Sequence, residues 1–256
     1  METSVLARPL APLSDATTDR LLVTQQTRPD RLYRPIGFLS CDDREYMFEY
    51  LRQAVEADWF VALPGLRAHQ SPFHSEQLFP IFAERVISPR RPDRPQAMHA
   101  LGLPIDAAPF EVLSRTGGRR VGDTIELVSV PRAQSDGAVS QLFLVHGIRH
   151  RTEDAQIRVS ELRPGDELRM VPDHGNRVNP MAVRIEDTDG LHLGFVPDPL
   201  ANFFREIAID DRGHQLRVEL ANGPEVGFHL RLLVRLNGFI TSGQQLFVGS
   251  GWETVH

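Results

Sequence analysis

Three consecutive cationic or ring-bearing side chains, Arg149, His150 and Arg151, follow an apolar strand that runs from Gln141 to Gly147. Arginine presents a planar fork that matches a phosphate, and an imidazole stacks or donates, so this trio suits a short stretch of unpaired nucleic-acid strand. If the strand simply continues, alternation sends His150 to the face opposite Arg149 and Arg151. A solvated strand end carrying no ligand has the same composition. His146 and His150 are four apart, the spacing of metal ligands on one helix face. Their setting is strand and turn, however, with no Glu in the HExxH position, no Cys pair and no third ligand nearby. A metal-assisted hydrolase around them is therefore the third reading, and no metal or other cofactor is expected.

Other reactive residue types find little support. All 28 Lys+Arg residues are arginine, which removes the Walker A lysine, the Schiff-base lysine, the kinase ATP-positioning lysine and the Ser-Lys dyad together. Cys41 sits beside Asp42 and Asp43, and neighbouring negative charge raises a thiol pKa and weakens a nucleophile. No Gly-x-Ser-x-Gly elbow occurs. Asp187 and Asp189 read as turn residues, and Gly117-Gly118-Arg-Arg-Val-Gly122 matches no nucleotide fingerprint and reads as a helix stop plus turn. A binding protein is expected, with no catalytic residue.

The whole chain bounds the partner. At 256 residues it is long enough for two ordinary domains. A net charge of -6 argues against coating duplex DNA by bulk electrostatics. Local gripping stays open, since eight arginines face ten acidic residues between 141 and 205. One cysteine allows no internal disulfide. No apolar run approaches membrane-spanning length, and Met1 to Arg20 lacks a signal-peptide pattern, so no membrane association and a cytoplasmic location are expected.

These residues must be held by recognisable elements. Residues 1–18 read as a mobile tail. Strands are expected at 21–24, 33–40 and 46–50 from period-two alternation. A helix capped by Ser75 is expected to run along the Leu78, Phe79, Phe82, Val86 stripe to Pro89. A basic connector at 90–95 precedes a short helix at 96–103. A helix begun at Pro109 stops at Gly117-Gly118, and a strand follows at 124–130. Residues 132–140 read as a linker between a first domain, 19–131, and a second, 141–256. The second holds strands near 141–147, 167–171, 181–185, 191–196, 215–220 and 228–236 and a helix at 199–208, an arrangement expected to make a small barrel.

Four segments carry a resemblance: Phe143-Leu-Val-His-Gly-Ile-Arg-His-Arg151, Leu162-Arg-Pro-Gly-Asp-Glu-Leu168, Pro172-Asp-His-Gly-Asn-Arg-Val-Asn-Pro-Met-Ala-Val183 and Leu193-Gly-Phe-Val-Pro197. In order and spacing, from about 141 to 205, they resemble the HIRAN domain. The resemblance implies an OB-like β-barrel and a grip on the 3′-hydroxyl end of single-stranded DNA, as in the family's fork-remodelling helicases. It places Arg149 at the arginine of the family's turn, with His150 and Arg151 where the helicase members carry aromatics. The loop for the terminal nucleotide maps to Asp173 through Asn179. Asn176 keeps the family's asparagine, whereas Asn179 stands where an acid usually meets the hydroxyl and would bond it without charge assistance. Phe195 is a candidate stacking ring.

The first half is similar to the small N-terminal subdomain of HipA-type kinases, on Tyr33-Arg-Pro-Ile-Gly-Phe-Leu39, Tyr46-Met-Phe-Glu-Tyr50, Leu78-Phe-Pro-Ile-Phe-Ala83 and Asp106 to Gly118. That resemblance implies partner docking without catalysis. The expectation is thus a bacterial-type chain, an α+β lobe followed by a mostly β, OB-like barrel, that recognises single-stranded DNA at or near a 3′ end. The alternative is an antitoxin-like or adaptor protein docking on a separately encoded kinase or helicase.

Overall fold

The computed structural model describes residues 20–27, 31–42, 45–120, 122, 124–208, 212–241 and 246–255; the tail expected at 1–18 lies outside them. Two curled antiparallel sheets with six short helices make up the described chain. The first sheet is built from β1 (Arg20–Gln26), β2 (Tyr33–Cys41), β3 (Tyr46–Tyr50), β4 (Phe73–Ser75) and β5 (Ile125–Ser129), in the order β4-β3-β2-β1-β5. Its core is aromatic: Phe48 meets Tyr50 at 4.7 Å and Phe82 at 5.5 Å between ring centres. The buried Tyr50 hydroxyl accepts from Leu63 N–H and donates to Leu66 C=O, so this ring is polar-satisfied as well as packed.

Around that sheet lie α1 (Arg52–Val55), α2 (Pro80–Ala83), α3 (Arg94–Ala100) and α4 (Pro109–Thr116). The long helix expected from Ser75 is not formed. Ser75 ends β4, and the helix begins at Pro80 and lasts one turn. Proline holds the residue before it out of the α region, and Phe79 is accordingly extended (φ -52, ψ 138). The supposed basic connector is also partly buried. Arg94 opens α3, is 5% exposed, and donates to the carbonyls of Ile105, Ile87 and Ala107. The α4 boundaries agree with proline at the first turn and a left-handed Gly117 after the last.

The second sheet contains β6 (Ala138–Leu144), β7 (Glu167–Pro172), β8 (Val183–Glu186), β9 (His192–Phe195), β10 (Gln215–Ala221) and β11 (Leu232–Phe239), in the order β6-β11-β10-β7-β8-β9. It curls until its edges touch at one bridge, His146 with Phe195. Two helices pack on it, α5 (Glu153–Glu161) and α6 (Ala201–Ala208). The helix at 153–161 is not among the expected elements, although Thr152 accepts from Ala155 N–H as an N-cap and Glu153 and Asp154 fill the first turn. Part of the expected linker is already strand, since β6 begins at Ala138.

The halves are less separate than a 131/141 boundary suggests. Met98, Leu101 and Val112 of the first half form one buried cluster with Leu144 and Leu233 of the second. Asn222 Nδ2 donates to Ala100 C=O at 2.8 Å. Residues 246–255 then return to the first sheet. Val255 N–H donates to Tyr50 C=O at 2.9 Å, Thr254 Oγ1 donates to Glu49 at 3.0 Å, and the Trp252 ring lies 5.9 Å from Phe38.

Candidate functional site

After β6 the chain reaches Gly147, whose φ of +75 lies in the left-handed region that suits a residue without a Cβ. This reverses the strand, and Ile148–His150 become a 3-10 turn. Strand alternation therefore does not apply at 149–151, and the trio divides differently from the expectation. Buried Ile148 anchors the turn, and Arg149 and His150 are exposed. Arg149 makes no side-chain hydrogen bond or ion pair with any described residue. Arg151 turns the other way, and its guanidinium lies 5.2 Å from the Phe195 ring centre while Nη1 donates to His192 Nδ1 at 2.9 Å.

Phe195 is half-buried and closely surrounded. His192 meets its ring edge-on at 4.7 Å, and His192 Nε2–H donates to Gly194 C=O at 3.0 Å, which leaves Nδ1 free to accept from Arg151. Burial, then the Arg151 charge, hold His192 below the usual histidine value. The Arg151 Nε is buried without a partner; desolvation lowers this guanidinium's pKa, and Asp173 partly restores it. Phe195 and Arg151 thus support the turn from beneath.

Gly194 governs how close that support comes. A Cβ there would lie 2.5 Å from His146 O and 2.5 Å from Val145 Cγ1, and the paired bonds between His146 and Phe195, both 2.8 Å, would have to open. Gly194→Ala is expected to lower the unfolding free energy by about 2 kcal/mol, in the usual range for overpacking. Urea denaturation checks this; an unchanged midpoint would mean that β9 and His146 are not held at this spacing.

The loop from Asp173 to Asn179 is held by its own amides. Asn176 Oδ1 accepts from the N–H groups of Val178 and Asn179, both at 3.0 Å, and its Nδ2 donates to Asp173 at 3.2 Å. Asn179 Oδ1 accepts from Met181 N–H, and its Nδ2 donates to Asp198 at 2.9 Å. Both asparagines shape the loop, and a ligand hydroxyl would have to share them with it.

Facing the 148–150 turn is a wall that no local sequence pattern announces. An open cleft of about 1100 Å³ lies between the turn and the first sheet. Arg31, Arg119 and Arg120 from the first half and Arg149 from the second line it, with His146, His150 and His229, Tyr33 and Phe228. No described Asp or Glu lines it. At its floor, His146 Nε2 lies 3.1 Å from Glu126 Oε1. Arg119 spans the halves, 3.4 Å from His146 Nδ1 and 3.5 Å from the Tyr33 hydroxyl. Glu126 is 2% exposed, and burial, offset by Arg119 and reinforced by Asp198, pushes its carboxyl up to about 7. Burial and Arg119 hold His146 well below the usual histidine range. The pair therefore carries one proton between its carboxyl and its ring in mildly acidic solution. His146 Nε2 is taken by Glu126, and no group of three His, Cys, Asp or Glu that could hold a metal ion is found among the described residues.

No family model matches the chain, and no curated protein matches it. Among solved structures it is similar to the HIRAN domain of human HLTF, with 14% identity and a TM-score of 0.30, over 44% of this chain and 80% of that one. It is also similar to a structural-genomics protein from Lactobacillus plantarum, with 19% identity and a TM-score of 0.28, over 43% and 93%. No helix among the described residues is long and apolar enough to cross a membrane.

Proposed function

We propose that this chain is a non-catalytic nucleic-acid-binding protein that engages single-stranded DNA, at or near a 3′ end, through the rim of its curled, OB-like second sheet. The observation that carries the reading is the 148–150 turn. It is braced from below by Phe195 and Arg151, and it holds out one arginine without a described partner beside one exposed imidazole. A guanidinium without a counter-ion at a fixed position is suited to a phosphate oxygen. The resemblance of 141–205 to the HIRAN domain supplies the 3′-end preference. In this reading Asp173, Asn176 and Asn179 form the loop against which the terminal sugar rests.

The test is fluorescence anisotropy at moderate salt with three probes: a short strand ending in a 3′-hydroxyl, the same strand with a 3′-phosphate, and a blunt duplex. The 3′-hydroxyl strand is expected to bind tightest, and Arg149→Ala to weaken it by at least about tenfold, the loss of a hydrogen bond to a charged group. Absence of binding to all three probes would overturn the reading in favour of docking on a kinase or helicase, which the resemblance of 33–130 to the HipA-type subdomain would then support.

A further inference from the structure

The arginines of the first half have no role in the barrel-rim reading, yet they face it across the cleft. We propose that the first half supplies the second wall of the nucleic-acid site, with Arg31, Arg119 and Arg120 taking phosphates of a single strand that leaves the 148–150 turn and runs along the cleft. This proposal rests on the function proposed above and extends it from an end-grip to a path.

Four arginines line the cleft, against a half-exposed Glu84 beside Arg120 and a buried Glu126 beneath His146, on a chain whose acidic residues outnumber its basic ones by six. Like charges gathered in one place repel, so such a wall calls for an anion. The arginines are also unsatisfied or weakly held. Arg31 and Arg149 have no described side-chain partner. Arg119 hydrogen-bonds only to a ring nitrogen and a hydroxyl, at 3.4 and 3.5 Å, and acts on the buried Glu126 carboxyl without a hydrogen bond to it, so most of its five donors remain available. Arg120 pairs with Glu84 at 2.9 Å, but both are half-exposed or more, so a phosphate can displace that acid at little expense.

Arg31 carries a second mark. It is a non-glycine residue at φ +60, locked there by its N–H donating to Thr27 C=O and by Gln26 Nε2 donating to its own carbonyl. A left-handed backbone is strained for a residue with a Cβ, and such residues concentrate at ligand clamps. The cleft volume lies at or above the roughly 300–1,000 Å³ of small-molecule sites, and it is open, which fits a polymer better than a free nucleotide. Tyr33 of the first half and Phe228 of the second line it, with Arg119 5.9 Å from the Tyr33 ring centre and Arg231 3.9 Å over the Phe228 ring, and stacking on an aromatic ring tolerates any base.

The experiment uses the full chain with 3′-fluorescein-free, 5′-labelled oligothymidylates of 5 and 15 nucleotides, titrated from 50 to 300 mM salt. Single-strand affinity falls with a log-log slope of about −0.7 per neutralised phosphate. Wild type is expected to show a slope near −3 on the 15-mer, for about four contacts. The double variant Arg31→Ala, Arg120→Ala is expected to lose at least tenfold on the 15-mer, with the slope reduced by about 1.4, while the 5-mer at the turn is little changed. Both residues are exposed, and matched thermal unfolding confirms that the variant folds. An unchanged 15-mer slope in the double variant, with Arg149→Ala still losing affinity, would overturn the second wall and leave the end-grip standing. Full competition by thymidine monophosphate at equal concentration would also overturn it, by showing a pocket for one nucleotide. No binding by wild type to either oligonucleotide would bring down the underlying function as well.

Discussion

Phe204→Ala is expected to lower the unfolding free energy by about 3–5 kcal/mol, the range for truncating a buried Phe. Phe204 is fully buried on α6. Its ring centre lies 4.9 Å from Phe143 of β6 and 5.4 Å from Phe203, so the cavity opens beneath the strand that leads to the 148–150 turn. Equilibrium urea unfolding measures the loss, and a change below about 1 kcal/mol would show that α6 does not seat on the sheet. Because Met98, Leu101 and Val112 share a cluster with Leu144 and Leu233, fluorescence of the first half and far-UV signal should move in one transition. Two separated transitions would contradict the shared cluster.

Glu126→Gln is expected to change how stability depends on pH. The folded carboxyl titrates near 7, raised by burial from the ordinary 4.5. Between those values the folded chain keeps a proton that the unfolded chain has released, so this group's contribution is full below about 4.5 and declines as pH rises to about 7. His146 acts in the opposite sense. Its folded value is lowered by burial and Arg119 from 6.5, so its ring stays neutral where the unfolded ring is protonated, and stability climbs with pH toward 6.5. In the native chain the two trends oppose each other and the profile is nearly level through the shared window. Glutamine removes the falling limb and leaves His146 against a neutral amide, so the rising limb persists. The variant should therefore gain on wild type as pH rises from 4.5 to 7, by on the order of 1 kcal/mol per pH unit at most. Urea unfolding of both proteins at pH 5 and pH 7 decides it; a difference that does not vary with pH would mean that Glu126 is ionised throughout.

What the sequence disclosed was local. Alternation placed β1, β2, β3 and most of the second sheet, and proline and glycine at its two ends placed α4. The helix expected after Ser75 failed because the apolar stripe was weighed without Pro80, which reset the backbone of Phe79. The helix at Glu153–Glu161 was legible, since Thr152 followed by two acids is a start signal, but its one-sided apolar content is thin: only Ala155 and Val159 are buried. For the site, Arg149 and His150 were found because they are adjacent and follow a strand. Their neighbours across the cleft were not, because Arg31, Arg119 and Arg120 lie 29 to 118 positions away from Arg149, and no periodicity connects them. Locally, Arg119 and Arg120 belong to a glycine-marked turn. Only the closing of the two halves on one another brings these charges to one place.

The return of residues 246–255 to the first sheet also sets a timetable for synthesis. Glu49 and Thr254, which hydrogen-bond in the folded chain, are 205 positions apart. At roughly 5–20 residues per second, the ribosome needs about 10–40 s to make that interval. Through all of it the seat of Trp252 over Phe38 and the Tyr50 carbonyl that receives Val255 stand unfilled, so the first half of a nascent chain waits with an open apolar face until nearly the whole of the described sequence has been made.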